Sequence, residues 1–163
     1  TGSILVIINQ TRDNVGTFSF EKKTRSGGHA LRFYATCELW SSIKEKIKTT
    51  YKGKQRAQGV LCKIQIKKNR ITGKERTVEI PIYHSTGIDD IGSCINYLLE
   101  EKHWTGSDKS VHAPEFRDFV GSKDSLIKKI EEEDLEGELE MIVADVWNEI
   151  EQSVAIVRKS RYE

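Results

Sequence analysis

The chain has 163 residues, of which 37% are hydrophobic and 31% are charged, and its formal net charge is +1. This length supports one hydrophobic core with an appendage but is short for two full domains. The near-neutral total excludes a chain that is basic throughout, so any nucleic-acid contact must come from cations clustered in one place.

No apolar run approaches the ~18 residues that cross a bilayer, and the amino terminus lacks the pattern of a secretion signal. We therefore expect an intracellular, cytoplasmic protein with no membrane partner. Cys37, Cys62 and Cys94 are widely spaced and form no CxxC pair. This spacing predicts reduced cysteines rather than a disulfide framework or a zinc site, and no metal site is expected.

The first predicted elements are two apolar segments separated by a long basic loop. Residues 4–8 are a continuous aliphatic run, which predicts a strand covered on both faces, and residues 31–40 predict a second strand. A buried strand needs neighbours, so we expect this chain to be the C-terminal part of a larger protein. Loops longer than about a dozen residues are usually functional or disordered, which makes the segment between the two strands a candidate site.

A strand meander is predicted next. Residues 44–58 are polar and basic around Lys52-Gly53-Lys54, which predicts an exposed hairpin connection. Residues 60–66 and 77–83 alternate apolar and polar positions as strands do, with a turn at 69–74 between them. With the strand at 31–40, these segments predict three strands in meander order.

The apolar period then changes to that of helices. Apolar residues at spacings of three and four predict a helix over 88–102 with Asp89 as a plausible N-cap. Residues 106–114 have the composition of a loop. Two further helices are expected at 126–134 and 138–158, split at Gly137, with an apolar stripe that packs against the domain or a neighbouring subunit.

The basic loop combines cations, apolar side chains and glycines. Between Thr11 and Arg32 the cations exceed the carboxylates by three. Phosphates require cations and N–H donors whereas bases require apolar faces, so this mixture is typical of a single-stranded nucleic-acid site. The participants are Arg12, Lys22, Lys23, Arg25 and Arg32, the apolar Val15, Phe18 and Phe20, and Gly16, Gly27 and Gly28. A surface loop whose aromatic side chains cover a sheet edge is the alternative.

The pattern NQTR…G…GG.AL.FYA from Asn9 to Ala35 resembles the second DNA-binding loop of the RecA-family recombinases. IKKNRI and GIDDIGSCINYLL resemble later segments of that family, so the resemblance covers residues 4–99. His29 is similar to the GGH of archaeal and eukaryotic relatives, and residues after 107 resemble phage recombinases of the UvsX type.

The resemblance implies an α/β fold in two parts. Residues 1–105 would be the C-terminal part of a RecA-like ATPase core, a mixed sheet with a strand meander that contains the second DNA-binding loop. Residues 106–163 would be a helical C-terminal region.

The resemblance also implies roles for individual residues. Gln10 would sense the γ-phosphate of ATP, and Lys68 and Arg70 would reach across a filament interface to the neighbouring subunit's ATP. Phe33 would lie at the subunit interface. DNA contacts would come from Arg12, Val15, Gly16, Phe18, Lys22, Lys23, Arg25, Gly27 and Gly28. The residues alone also permit a backbone-capping amide at Gln10, a solvated basic strand end at Lys68 and Arg70, and a core aromatic at Phe33.

The phosphate-binding motif GxxxxGK[ST] occurs nowhere in the sequence. No upstream apolar strand ends in an acidic residue that would organise magnesium. In the family these parts bind ATP and Mg²⁺, so we predict that this chain alone is not an ATPase and carries no cofactor.

Three functions stay open at this point. The first is a fragment of a DNA-dependent ATPase that forms filaments on single-stranded DNA and promotes strand exchange in homologous recombination and DNA repair. The second is a nonenzymatic nucleic-acid-binding or filament-interacting module. The third is a ring-forming ATPase such as a helicase, which the Gly27-Gly28 pattern disfavours.

Overall fold

The computed structural model describes residues 2–13, 23–25 and 28–155. The described residues form an α/β fold with three sheets, of two, four and three strands, whose orders are β1-β2, β3-β4-β5-β6 and β7-β8-β9. In chain order the elements are β1 Thr11–Asp13, β2 Lys23–Arg25, α1 Gly28–Tyr34, β3 Cys37–Tyr51, β4 Lys54–Asn69, β5 Thr77–Tyr83, β6 Gly87–Ile88, α2 Asp90–Glu100, β7 Thr105–Ser107, β8 Ser110–Ala113, the 3₁₀ helix Pro114–Phe116, β9 Phe119–Gly121, α3 Lys123–Glu132 and α4 Glu136–Ser153.

The apolar run at residues 4–8 is not a buried strand, and that prediction is wrong for this structure. Residues 2–10 have no regular secondary structure, and the side chains of 4–8 are between 57% and 94% exposed. A strand covered on both faces requires neighbours that accept its backbone hydrogen bonds. Among the described residues, no strand pairs with this segment.

The strand predicted for residues 31–40 is correct only at its end. Gly28–Tyr34 is helix α1, and strand β3 begins at Cys37. Ala30, Leu31 and Arg32 are strong helix formers, so local propensity favours the helix over the alternating pattern. The backbone N–H of Ala35 donates to the carbonyl of Leu31 at 2.9 Å and extends the helical hydrogen bonding by one residue.

The predicted three-strand meander is confirmed, and the short strand β6 extends it. Strands β3 and β4 join through Lys52 and Gly53, both with positive φ (51° and 73°), as a two-residue hairpin turn requires. The prediction that all of 44–58 is a connection is wrong, because both strands run to the turn. The strand segments next to the turn are exposed and polar, so they lack the alternation of apolar and polar residues by which strands are recognised.

The chain divides into two compact units. One consists of Thr1–Trp40 and Gln65–Thr77, and the other of Ser41–Ile64 and Val78–Glu163. The division expected from the sequence, into 1–105 and 106–163, stays a prediction.

The second unit holds a continuous hydrophobic core. Helix α2 begins as predicted, with the Asp89 carboxylate accepting from the N–H of Gly92 at 2.8 Å. Helices α2, α3 and α4 and the sheet β7-β8-β9 bury a common set of side chains: Ile95, Leu98, Trp104, Val111, Ala113, Phe116, Leu126, Ile130, Leu139 and Val146.

Two local predictions in this unit are wrong. Residues 106–114 are not a loop, because they contain parts of the antiparallel strands β7 and β8. The helices α3 and α4 separate around Asp134, whose φ is +52°, whereas Gly137 lies inside α4. Across residues 2–13, 23–25 and 28–155, no helix has the length and apolar character needed to cross a membrane.

Candidate nucleic-acid and phosphate interface

In the structure the basic loop stops where helix α1 begins at Gly28, and two segments of the loop, residues 11–13 and 23–25, pair as a short antiparallel ribbon. Strand β1 pairs with β2 in the register Thr11 with Arg25, Arg12 with Thr24 and Asp13 with Lys23. We call β1 and β2 the loop ribbon. This register gathers three of the predicted DNA-binding residues, Arg12, Lys23 and Arg25, within three residue pairs. Val15, Gly16, Phe18, Lys22 and Gly27 lie outside the described residues, and Gly28 is the first residue of α1.

The proposed phosphate sensor Gln10 immediately precedes the loop ribbon and is exposed. Its backbone N–H donates to the side-chain oxygen of Asn9 at 2.8 Å. The sequence left open that the Gln10 side chain caps the backbone at the strand end. In the structure the Asn9 side chain makes such a contact. The sensing role of Gln10 stays a prediction.

Lys68, near the end of β4, caps the last turn of helix α1. Its ammonium donates to the backbone carbonyl of Arg32 and, at 3.2 Å, to that of Phe33. The last carbonyls of a helix have no partner within the helix, and a cation placed there also interacts favourably with the helix dipole. Lys68 is therefore more than a solvated strand end.

Arg70 makes a second contact with the same segment. Its guanidinium lies 5.7 Å from the centroid of the Phe33 ring, and its backbone N–H donates to the carbonyl of Thr36 at 2.9 Å. Phe33 is 65% exposed and meets Tyr34 edge to face at 5.3 Å, so it is not a core aromatic. Its predicted place at a subunit interface stays a prediction. We call the contacts of Lys68 and Arg70 with residues 32–36 the α1 clasp.

The clasp borders a groove of about 420 Å³. Within the described part of the chain, its lining consists of four cations and one aromatic ring, with no carboxylate: Arg32, Phe33, Lys67, Lys68 and Arg70. A groove lined by four cationic residues favours a multiply charged anion such as a polyphosphate. The groove therefore brings Lys68 and Arg70, the two residues predicted to contact ATP in trans, together with two further cations. The sequence placed one of these, Arg32, in the basic loop and assigned no role to the other, Lys67.

Asn69 begins the turn predicted at residues 69–74, and its side chain, to which the sequence assigned no role, fixes that turn. Its side-chain oxygen accepts from the N–H groups of Ile71 and Thr72 at 3.0 and 3.2 Å. Its amide donates to the Thr72 hydroxyl at 2.7 Å and to the Lys74 carbonyl at 3.2 Å. An asparagine that bonds the backbone two residues ahead is a recognised turn signal, and here it holds the turn that follows Lys68 and contains Arg70.

A second basic surface lies on the β3–β4 hairpin, where the sequence reasoning expected only a connection. Residues 44–56 contain six cationic side chains and one carboxylate, that of Glu45, and all six cationic residues are exposed. Lys44 is paired with Glu79 at 2.7 Å, and this hydrogen bond raises the pKa of its ammonium. We call the remaining five the hairpin cations: Lys46, Lys48, Lys52, Lys54 and Arg56.

The RecA N-terminal domain family matches residues 1–89 of the chain. This chain belongs to the RecA family. The RecA protein of Rippkaea orientalis is 26% identical over 132 residues, which cover 81% of this chain and 37% of that protein. The RecA protein of Trichodesmium erythraeum is 33% identical over 101 residues, covering 62% and 27%. That of Acidothermus cellulolyticus is 34% identical over 100 residues, covering 61% and 28%.

The RecA-family chain thus spans about a third of the length of the curated relatives it matches. The family predicted from the NQTR…GG.AL.FYA pattern is confirmed. The closer relation to UvsX-type phage recombinases stays a prediction. Among the described residues, no cluster of three or more His, Cys, Asp or Glu side chains is arranged to bind a metal.

Proposed function

We propose that this chain is part of a RecA-family recombinase that binds single-stranded DNA and contacts ATP held by a neighbouring subunit. The observation that carries the proposal is the four-cation groove at the end of β4, which is joined through Lys68 to the helix that follows the basic loop. In this arrangement Lys68 and Arg70 stabilise phosphate charge from outside the subunit that binds the nucleotide.

The DNA contact is proposed for the loop ribbon and the segment between its strands. Paired backbones fix the distance between the two ends of the loop, while Arg12, Lys23 and Arg25 supply positive charge at its base. Phosphate contacts of this kind bind without sequence preference, as a recombinase on single-stranded DNA requires.

In the assembled recombinase, ATP would supply the triphosphate and Mg²⁺ would balance part of its charge. This chain's residues would bind the γ-phosphate side through Lys68 and Arg70, and Gln10 would report its presence to the loop. We propose that self-association into a filament brings these residues to the neighbouring nucleotide, and that strand exchange follows from the extended DNA held by successive loops.

The DNA contact is tested by fluorescence anisotropy of a labelled oligodeoxythymidine with the 163-residue chain over a range of salt concentrations. Each lost phosphate contact on a single strand lowers the slope of log K against log salt by about 0.7. The triple variant Arg12→Gln, Lys23→Gln, Arg25→Gln should therefore reduce the slope by about 2.

The matched control removes three exposed lysines elsewhere, in the variant Lys102→Gln, Lys109→Gln, Lys128→Gln. It should keep the original slope, because the total charge changes equally but the loop ribbon is intact. An equal loss of slope in both variants would show that only net charge matters and would contradict the DNA site.

The phosphate contact is tested by calorimetric titration of the chain with inorganic tripolyphosphate at low ionic strength. The variant Lys68→Gln, Arg70→Gln should lose the binding heat. The control Lys46→Gln, Lys48→Gln, which removes the same charge outside the groove, should retain it. Retained binding in the groove variant would refute the trans-phosphate role.

The hairpin cations favour a second candidate, a nonenzymatic nucleic-acid-binding module. A two-stranded ribbon with exposed cations on both strands suits a phosphodiester backbone irrespective of any nucleotide. The variant Lys46→Gln, Lys48→Gln, Lys54→Gln separates the two functions. If it alone abolishes oligodeoxythymidine binding and the loop-ribbon variant has no effect, the module is the better description.

A further inference from the structure

We propose that helix α1 and a bound polyphosphate compete for Lys68, so that α1 is clasped when the groove is empty and released when the groove holds the anion. This inference rests on the proposed function and adds to it the regulation of that site. It would make the α1 clasp the element through which a neighbouring nucleotide changes the DNA-binding loop.

The competition follows from the position of one ammonium group. Lys68 lines the groove and donates at the same time to the last carbonyls of α1, those of Arg32 and Phe33. An ammonium group has three donors, and at least two are engaged with α1. A polyphosphate carries several full negative charges whereas a carbonyl carries only a dipole, so the anion is the stronger acceptor. Binding it through Lys68 withdraws donors from α1.

Helix α1 depends on contacts outside itself. It has only seven residues, and isolated helices shorter than about 12 residues are marginal in water. It has no acidic residue in its first turn, and its own basic residue in the last turn, Arg32, lines the groove as well. An anion that draws Lys68, Arg32 and Arg70 towards itself therefore removes the clasp from both the carbonyls and the Phe33 ring.

The sequence of this segment supports two conformations. Leu31, Phe33, Ala35, Cys37 and Leu39 alternate with polar or aromatic positions in the pattern of a strand, although residues 28–34 are helical. A segment with competing local preferences is a suitable two-state element, because a modest change in contacts shifts its population. Since α1 begins at Gly28, directly after the basic loop, its conformation determines where that loop ends.

The test is hydrogen–deuterium exchange of the 163-residue chain, read by mass spectrometry on peptides spanning residues 29–36. Saturating inorganic tripolyphosphate, without nucleic acid, should accelerate exchange in this peptide by at least about tenfold, the lower end of the effect of losing one charge-assisted hydrogen bond. Peptides from α2, which has its own N-cap and core packing, should not change and report that the fold is intact.

Two variants isolate Lys68. Lys68→Met keeps an apolar stem without the ammonium, and should exchange rapidly in α1 before tripolyphosphate is added, with no further increase afterwards. Lys67→Met removes a neighbouring charge from the groove lining but leaves the clasp. It should retain slow exchange in α1 and should still respond to tripolyphosphate at a higher concentration.

The outcomes separate this inference from the function on which it rests. If calorimetry shows binding at Lys68 and Arg70 but α1 exchange is unchanged, competition is refuted and the phosphate site stands. If Lys68→Met exchanges as slowly as the unmodified chain, the clasp is refuted whatever the anion does. If tripolyphosphate does not bind at all, the phosphate site and the competition both fail, even where Lys68→Met accelerates exchange.

Discussion

Replacing Glu115 tests how much its hydrogen bond with the buried Trp104 stabilises the second unit. One carboxylate oxygen accepts from the indole N–H of Trp104 at 2.7 Å and the other from His103 at 2.5 Å. Trp104 is only 1% exposed, so Glu115→Ala leaves a buried donor without its acceptor, which costs about 1–3 kcal/mol. The His103 contact is partly exposed and adds at most about 1 kcal/mol.

Because the Glu115 side chain is itself 35% exposed, water replaces part of the lost bond, and we expect Glu115→Ala to lower the free energy of unfolding by about 2 kcal/mol. Glu115→Gln keeps one acceptor oxygen and should lose about half as much. Urea unfolding at pH 7, followed by tryptophan fluorescence, measures both. A loss below about 0.5 kcal/mol in the alanine variant would refute the reasoning.

The same carboxylate predicts a pH dependence. Burial alone would raise the pKa of Glu115, but hydrogen bonds from its own backbone N–H, Trp104 and His103 outweigh burial and lower the pKa below its ordinary value of 4.5. A carboxyl whose pKa falls on folding stabilises the native state above its unfolded pKa, and this stabilisation disappears as pH falls through the folded value. The stability difference between the unmodified chain and Glu115→Gln should therefore shrink below about pH 4.5; a constant difference from pH 7 to pH 3 would contradict this.

Two substitutions in the second unit and one labelling experiment give further tests. Leu98→Ala empties a fully buried position and should destabilise the chain by about 2–5 kcal/mol in urea unfolding, with Leu98→Met as the tolerated control. Gly106→Ala should lower the thermal midpoint clearly, because φ is +123° and a Cβ would collide with the Ser110 carbonyl; an unchanged midpoint would argue against the tight β7–β8 turn. Iodoacetamide should label the exposed Cys37 well before Cys94, since burial raises the pKa of the Cys94 thiol, and peptide mapping over time would expose the opposite order.

The elements that sequence predicted well are those where pattern and environment agree. Strand β5 was predicted at its observed bounds because its alternation is sustained and turns flank it. Helix α2 was predicted because a capping aspartate precedes an apolar stripe that enters a core. In both cases local preference and tertiary packing point to the same structure.

The incorrect secondary-structure predictions have a common cause, because each of these segments depends on its neighbours in the folded structure. Residues 4–8 have the composition of a buried strand, but composition cannot supply the neighbours that burial requires. Residues 28–34 satisfy helix propensity and strand alternation at once, so the choice depends on contacts such as those from Lys68. The strands around Lys52-Gly53 are exposed, and exposed strands lack the apolar alternation by which strands are recognised.

The sequence indicates two of the four groove cations, Lys68 and Arg70, but not the geometry of the groove. The motif IKKNRI identified Lys68 and Arg70 as cations of interest. That they hold the last turn of α1 depends on the pairing of distant segments, which spacing along the chain cannot reveal. The sequence places Arg32 among the loop cations, whereas in the structure Arg32 lines the groove together with Lys68 and Arg70.

The five solvent-exposed aliphatic side chains at residues 4–8 affect how the purified chain behaves in solution. An uncharged, β-favouring stretch of this length is a nucleus for cross-β stacking between molecules. The average molar mass measured by light scattering should therefore rise with protein concentration and with ammonium sulfate, and the variant Val6→Lys should stay monodisperse.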